Sequence, residues 1–449
     1  MNSTINSILI GRAIILHNLL SGGAKSIRVV ILCLVTLLPT ENKGQTTMPY
    51  ISQDDFKVNT YTKGFQSDPA IAMDSTGNFV VTWSGGSADM GQDGDKMGIF
   101  AQRYNALGEP IGKEFMVNTF YLENQTDPAI AMNDDGDFVI CWDSWHQDGS
   151  GSGIYAQRFN AKGEPQGAEF KVNTRTKDDQ TNPAIAMNNT GDFAITWQSE
   201  GEDGDRQGIV AQKFDSKGNW VGPNFIVNSY TKTDQKNPQI AMDSIGNFVI
   251  VWDSYYQEGV FGDGIYGQRY DMAGRALGNE FHINSYIKNN QKYPSLGMNS
   301  KGDFVVVWLS EGQEPGKFGI YAQAYSSDGI TNGKEFMVSS FKYESSAYPK
   351  VLLNTNGSFI ITWYYSKNNS SIQVNARLFK SAGIALGNEF TVTTYTRDSQ
   401  YNQEIAGNSK GDFTIVWQSQ NLDNVFQKND TVSRDGSESG IYAKRFQLK

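Results

Sequence analysis

This chain of 449 residues has two cysteines, three histidines and 12 prolines, and no apolar run long enough to cross a bilayer as a helix. Cys33 falls in the N-terminal stretch, so Cys141 is left without an internal partner. Within Phe-Val-Ile-Cys-Trp it reads as a small buried residue and not as a nucleophile. His17, His146 and His282 are too few and too scattered to suggest a histidine-based triad or metal cage. Basic residues are also in deficit, 38 against 48 acidic ones, for a net charge of −10. A surface of that sign repels phosphate backbones and anionic membranes, which argues against nucleic acid as a partner and suits cations or uncharged ligands.

What the chain has in abundance is repetition. Seven tryptophans, Trp83, Trp142, Trp197, Trp252, Trp308, Trp363 and Trp417, each close an apolar run and recur with a period of 54 to 59 residues. Within the first unit, Asp68–Met73, Phe79–Trp83, Gly98–Tyr104 and Glu114–Asn118 are β-branched and aromatic runs separated by Asp/Asn/Gly turns, the pattern of four antiparallel strands. A repeat of this length and content predicts an all-β fold, a seven-bladed β-propeller of four-stranded antiparallel blades.

The last repeat stops three residues after Gly440–Phe446 and so lacks its fourth strand, while an orphan copy, Asp55–Asn59, precedes the first complete unit. Pairing the two closes the ring and removes the exposed edges of an open array. The expected organisation is one domain over residues 46–449, a monomer, behind a leader over 1–45. In that leader Lys25 and Arg28 precede the apolar run 29–38 and a polar boundary, so the expectation is export to the periplasm or beyond, with no membrane span after leader cleavage.

The strings GIYAQRF (153–159), GIVAQKF (208–214), GIYGQRY (264–270) and GIYAKRF (440–446), with the EFxVN strands between them, resemble a repeat of large secreted bacterial proteins labelled hemolysin-type or RTX-related calcium-binding proteins and adhesins. The resemblance covers residues 55–449 and implies a secreted or surface module that binds a protein or a glycan. This chain lacks the Gly-Gly-x-Gly-x-Asp arrays that bind calcium in that family.

Because strands alternate in direction, the variable loops after each tryptophan and the connections between blades share one rim, which is the expected binding face. Those loops carry Asp93 and Asp95, Asp148, Asp203 and Asp205, and Asp263, closely spaced carboxylates with glycines between them, so calcium is the candidate cofactor. Trp145, Tyr255, Tyr256, Tyr364 and Tyr365 join the same loops, with Asp143 and Asp253 just after their tryptophans. Aromatic faces beside carboxylates suit a glycan or protein ligand. Trp220 lies on the opposite rim and reads as packing. Gln66, Gln125, Gln180, Gln235, Gln291 and Gln400 and the Arg/Lys after strand three recur too regularly to mark one site and read as scaffold. The leading expectation is an adhesion module. The alternative is a carbohydrate-active hydrolase or lyase using carboxylates at the central pocket, where Asp143 and Asp253 are the residues to test.

Overall fold

Why each repeat becomes a blade is visible in its first hairpin. Asp74 Oδ1 accepts the N–H groups of Thr76, Gly77 and Asn78 at 2.8 to 2.9 Å, and Gly77 takes φ 96°, where a side chain would be strained. The turn folds Phe65–Met73 back on Phe79–Gly86, followed by Met97–Tyr104 and Pro110–Met116. The computed structural model describes residues 50–87, 92–314, 317–339, 347–365, 371–420 and 438–448. Among these it repeats the blade seven times around a ring. The leader, the Lys367–Ser370 segment of blade 6 and most of the blade 7 insertion lie outside the described residues.

The core lies between blades, not within them. Trp83, Val81 and Phe79 of blade 1 pack on Val416, Ile441 and Ala443 of blade 7, and six further clusters repeat the arrangement around the ring. All seven repeat tryptophans have no exposed surface. Each ring buries an area on the order of 200 Å², so these residues dominate the cohesion of neighbouring blades.

Polar scaffold residues hold the strands in place. Asn118 Oδ1 accepts Ile99 N–H at 2.8 Å and its Nδ2 donates to Phe120 O and to Gln125 Oε1. Asn173 and Asn228 repeat these bonds with Gln180 and Gln235. Trp83 Nε1 donates to Gln66 Oε1 at 2.9 Å, and Trp417 donates likewise to Gln400. Arg103 reaches across to Lys162 O and Ala161 O in the next blade. The recurring Gln and Arg are therefore structural. Cys141 is fully buried and packs in the interface between blades 2 and 3.

The ring closes as the repeat requires. Phe56 pairs with Ala443 and Lys57 with Tyr442; Val58 N–H donates to Ile441 O at 2.8 Å, and Asn59 Oδ1 accepts Ile441 N–H at 2.8 Å. These are the bonds that Val117 and Asn118 make to Ile99 within an uninterrupted blade. A further strand, Tyr50–Ser52, pairs with Phe446–Leu448 and lengthens the seam beyond the orphan strand that the repeat accounts for.

Candidate functional site

The innermost strand of nearly every blade begins with a bulge. In blade 1 the register slips between Ser67 and Ala70, and the residue before the proline, Asp68, takes φ 51°. The strand opens there and turns that side chain toward the axis; proline, which carries no N–H for the ladder, fits the opening in blades 1 to 5, and Gln403 takes its place in blade 7. The same geometry recurs at Asp127, Asn182, Asn237, Tyr293 and Asn402, with φ between 51° and 56°.

These bulges ring a central cavity of about 420 Å³, lined by Asp68, Asp127, Asn182, Asn237, Tyr348, Lys350, Tyr364, Asn402 and Glu404 among others. A cavity of this size with convergent polar groups is typical of small-molecule and oligomer sites. It lies at the end of the inner strands where the inter-blade connections arrive, the rim shared with the variable loops.

The ring of bulges is not symmetric. Five blades place Asp or Asn at this position, the residues that best tolerate a left-handed backbone, while blades 5 and 6 place Tyr293 and Tyr348. Tyr293 and Tyr348 pack with centroids 4.1 Å apart, Tyr348 stacks on Tyr364 at 5.3 Å, and Tyr401 meets Tyr364 edge-on at 6.2 Å. Tyr348 and Tyr364 thus give the cavity an aromatic side, backed by Tyr293 and Tyr401, and the rest of its wall is an arc of carboxylates and amides.

Electrostatics sharpen the contrast. Lys350 Nζ pairs with Glu404 at 2.5 Å, which leaves Asp68 and Asp127 without a cation among the lining residues. Asp127 is open to the water of the cavity and enclosed by protein elsewhere. Desolvation, then the neighbouring Asp68 carboxylate, push its carboxyl up to about 6. Behind it the buried Asp143 accepts Thr126 Oγ1–H at 2.9 Å. Burial, then the Asp127 charge, hold Asp143 well above the usual carboxylate range. Asp253 is also buried, accepts Asn237 Nδ2–H at 2.8 Å, and is pushed up to about 7, first by burial.

The sequence-derived candidates separate on this geometry. Tyr364 lines the cavity. Asp143 and Asp253 do not reach it; each is at least 94 % buried and acts through the wall residue it holds, Thr126 beside Asp127, and Asn237. Tyr365 packs partly into the core of blades 5 and 6. Trp145 and Tyr256 are exposed on the rim, and Tyr255 is half-buried beside Phe261. Trp220, read as packing, is instead 49 % exposed on the opposite rim, because its hairpin holds it by a single bridge to Phe214.

The acidic loops tie the scaffold together. Asp95 Oδ2 accepts Glu123 N–H at 2.5 Å and Asp205 Oδ2 accepts Thr233 N–H at 2.8 Å. Asp148 and Asp203 accept Asn173 and Asn228 Nδ2–H, and Asp93 lies against Asn118. Asp263 pairs with Lys292 at 3.0 Å. Among the described residues no three His, Cys, Asp or Glu side chains converge to hold a metal ion.

Asp68, Asp127, Lys350 and Glu404 escape a sequence reading that treats the first strand as a plain strand. The signal is present nonetheless: the residue before the proline is Asp or Asn in four repeats and changes to Tyr at 293 and 348.

No family model matches the chain, and no curated protein does. Among solved structures it is similar to a protein of unknown function from Dyadobacter fermentans, at 10 % identity and TM-score 0.51, covering 89 % of this chain and all of that one. It is also similar to an ulvan lyase, a polysaccharide lyase solved with a bound saccharide, at 10 % identity and TM-score 0.50, covering 88 % of this chain and 95 % of that one. At that identity the likeness is one of fold.

Proposed function

We propose that this protein is carbohydrate-active at its central cavity, binding a glycan there and cleaving it. The observation that carries the reading is the break in the ring of bulges. A position that accepts Asp or Asn at little cost is given in two adjacent blades to tyrosines: Tyr348, with Tyr364, lines the cavity across from its carboxylates, and Tyr293, strained at φ 56°, packs against Tyr348 from behind. Aromatic faces take the apolar face of a sugar ring, and carboxylates and amides take its hydroxyls. The architecture shared with a polysaccharide lyase supports the same reading.

The charge of the cavity favours an uncharged glycan. Lys350 is the one cation among the described lining residues and is committed to Glu404, so a uronate or sulfated residue finds no positive partner there. Elimination next to a uronate carboxylate would require that charge to be neutralised, so hydrolysis is the chemistry that fits. Asp127, raised toward neutrality, is the proton donor to the leaving glycosidic oxygen. Glu404 is the candidate to take the proton of the attacking water, whose oxygen forms the new bond to the sugar.

The test is reducing-sugar release from a panel of uncharged polysaccharides, with D127N and E404Q as variants. Loss of release with binding retained supports the assignment. Undiminished release by D127N refutes it.

A further inference from the structure

We infer that blades 2 and 4 carry a matched pair of aromatic platforms that extend the central cavity along the rim and hold the parts of a sugar chain that leave it. This rests on the glycan reading of the cavity.

Blades 2, 3 and 4 turn directly after the second strand, and in blade 5 the corresponding residue sits at a register slip within that strand. The residue four beyond the tryptophan is left-handed in all of them: His146 at φ 60°, Gly201 at 66°, Tyr256 at 62° and Gly312 at 77°. Glycine takes that conformation without penalty, histidine tolerates it, and the bulky ring of Tyr256 is strained by it. Blade 3 shows that the turn needs no ring; blade 4 keeps a tyrosine there against backbone strain, and blade 2 a histidine. Strain retained where a cheaper residue serves elsewhere in the same fold points to function.

The rings are also poorly placed for packing. Trp145 is 37 % exposed, Tyr256 45 % and Phe261 77 %. They touch mainly one another: Trp145 lies 4.6 Å from His146, and Tyr255 lies 6.2 Å from Tyr256 and 5.7 Å from Phe261 between centroids.

Both platforms grow from the cavity wall. The strand that ends at Trp145 passes Asp143, and the strand of Tyr255 passes Asp253, the two buried carboxyls bonded to Thr126 and Asn237. Two residues of strand span about 7 Å, so each platform begins just outside the wall. Blades 3 and 5 have Gln198 and Leu309 at the carboxyl position and Glu200 and Glu311 at the first ring position. Carboxyl and platform therefore occur together or not at all in these four blades. Exposed aromatic faces beside a sugar-binding cavity suit an uncharged polysaccharide, stacked ring on ring.

The test titrates cello-, xylo-, manno- and arabino-oligosaccharides, dimers against longer oligomers, into wild type, H146G, Y256G and W145A, with Tm measured alongside. The glycine variants relieve strain, so Tm is expected to hold or rise. Affinity for longer oligomers falls about tenfold while affinity for dimers is unchanged. Unchanged affinity for longer oligomers in Y256G and W145A overturns the platforms and leaves the cavity reading intact. A marked fall in Tm with Y256G overturns them too, since the ring would then be structural. Absence of binding by wild type at every length overturns both readings.

Discussion

Asn224 donates its side-chain amide to Glu202 Oε1 at 2.8 Å, and the pair reverses the one that four other blades make at the same place. There a loop glutamine, Gln92, Gln147, Gln257 or Gln313, donates to Glu114, Glu169, Glu280 or Glu335. Blade 3 has exchanged donor and acceptor between loop and outer strand and kept the bond. N224E should therefore face two carboxylates and lose about 1 kcal/mol, and adding E202Q should restore the loss. Urea unfolding of the single and double variants measures the coupling.

The non-covalent seam should be as strong, bond for bond, as the blades whose chain is continuous. Asn59 and Asn118 are both 2 % exposed and accept equivalent N–H groups, from Ile441 and Ile99. N59A and N118A should each cost about 1–3 kcal/mol, the penalty for leaving a buried donor unsatisfied. A much smaller loss for N59A in urea titration would mean that the seam opens independently of the ring.

Stability should fall as pH rises from about 4 to about 7. Asp253, buried in the wall, is raised to about 7, so across that window the folded protein holds a proton that the unfolded chain has released. The sign follows: raising pH removes that proton and leaves a buried charge. D253N should flatten the dependence of Tm on pH and gain most above pH 7, as thermal scans across buffers will show.

Cleavage should decline as pH rises through about 6, because Asp127 must carry its proton to act as the acid. D127N should lower kcat by about a hundredfold or more with little change in binding. A pH–rate profile in which the descending limb is unaffected by replacing Glu404 separates the two carboxylates.

Much of this was legible in the residues themselves. The tryptophan period gives blade number, the orphan Asp55–Asn59 gives the seam, and recurrence of Gln and Arg marks them as scaffold, because each is set by local patterning or by the need to close an edge. The cavity was less legible. Asp143 and Asp253 stand out in sequence, yet the bulge at the proline brings the preceding residue to the axis and leaves these two behind it. Register slips of that kind depend on the whole sheet, so the positions of Asp127, Tyr348 and Glu404 in the cavity wall emerge only from the assembled ring. That loop carboxylates such as Asp95 and Asp205 accept backbone N–H groups of the next connection is likewise visible only once the neighbouring chain is placed.

The most direct measurement is calorimetric titration of matched uncharged and uronic-acid oligosaccharides into wild type and Y348A. The expected result is binding of the uncharged series, its loss by about tenfold or more in Y348A, and no binding of the uronates. Preference for the uronates, or affinity that survives removal of the Tyr348 ring, would contradict it.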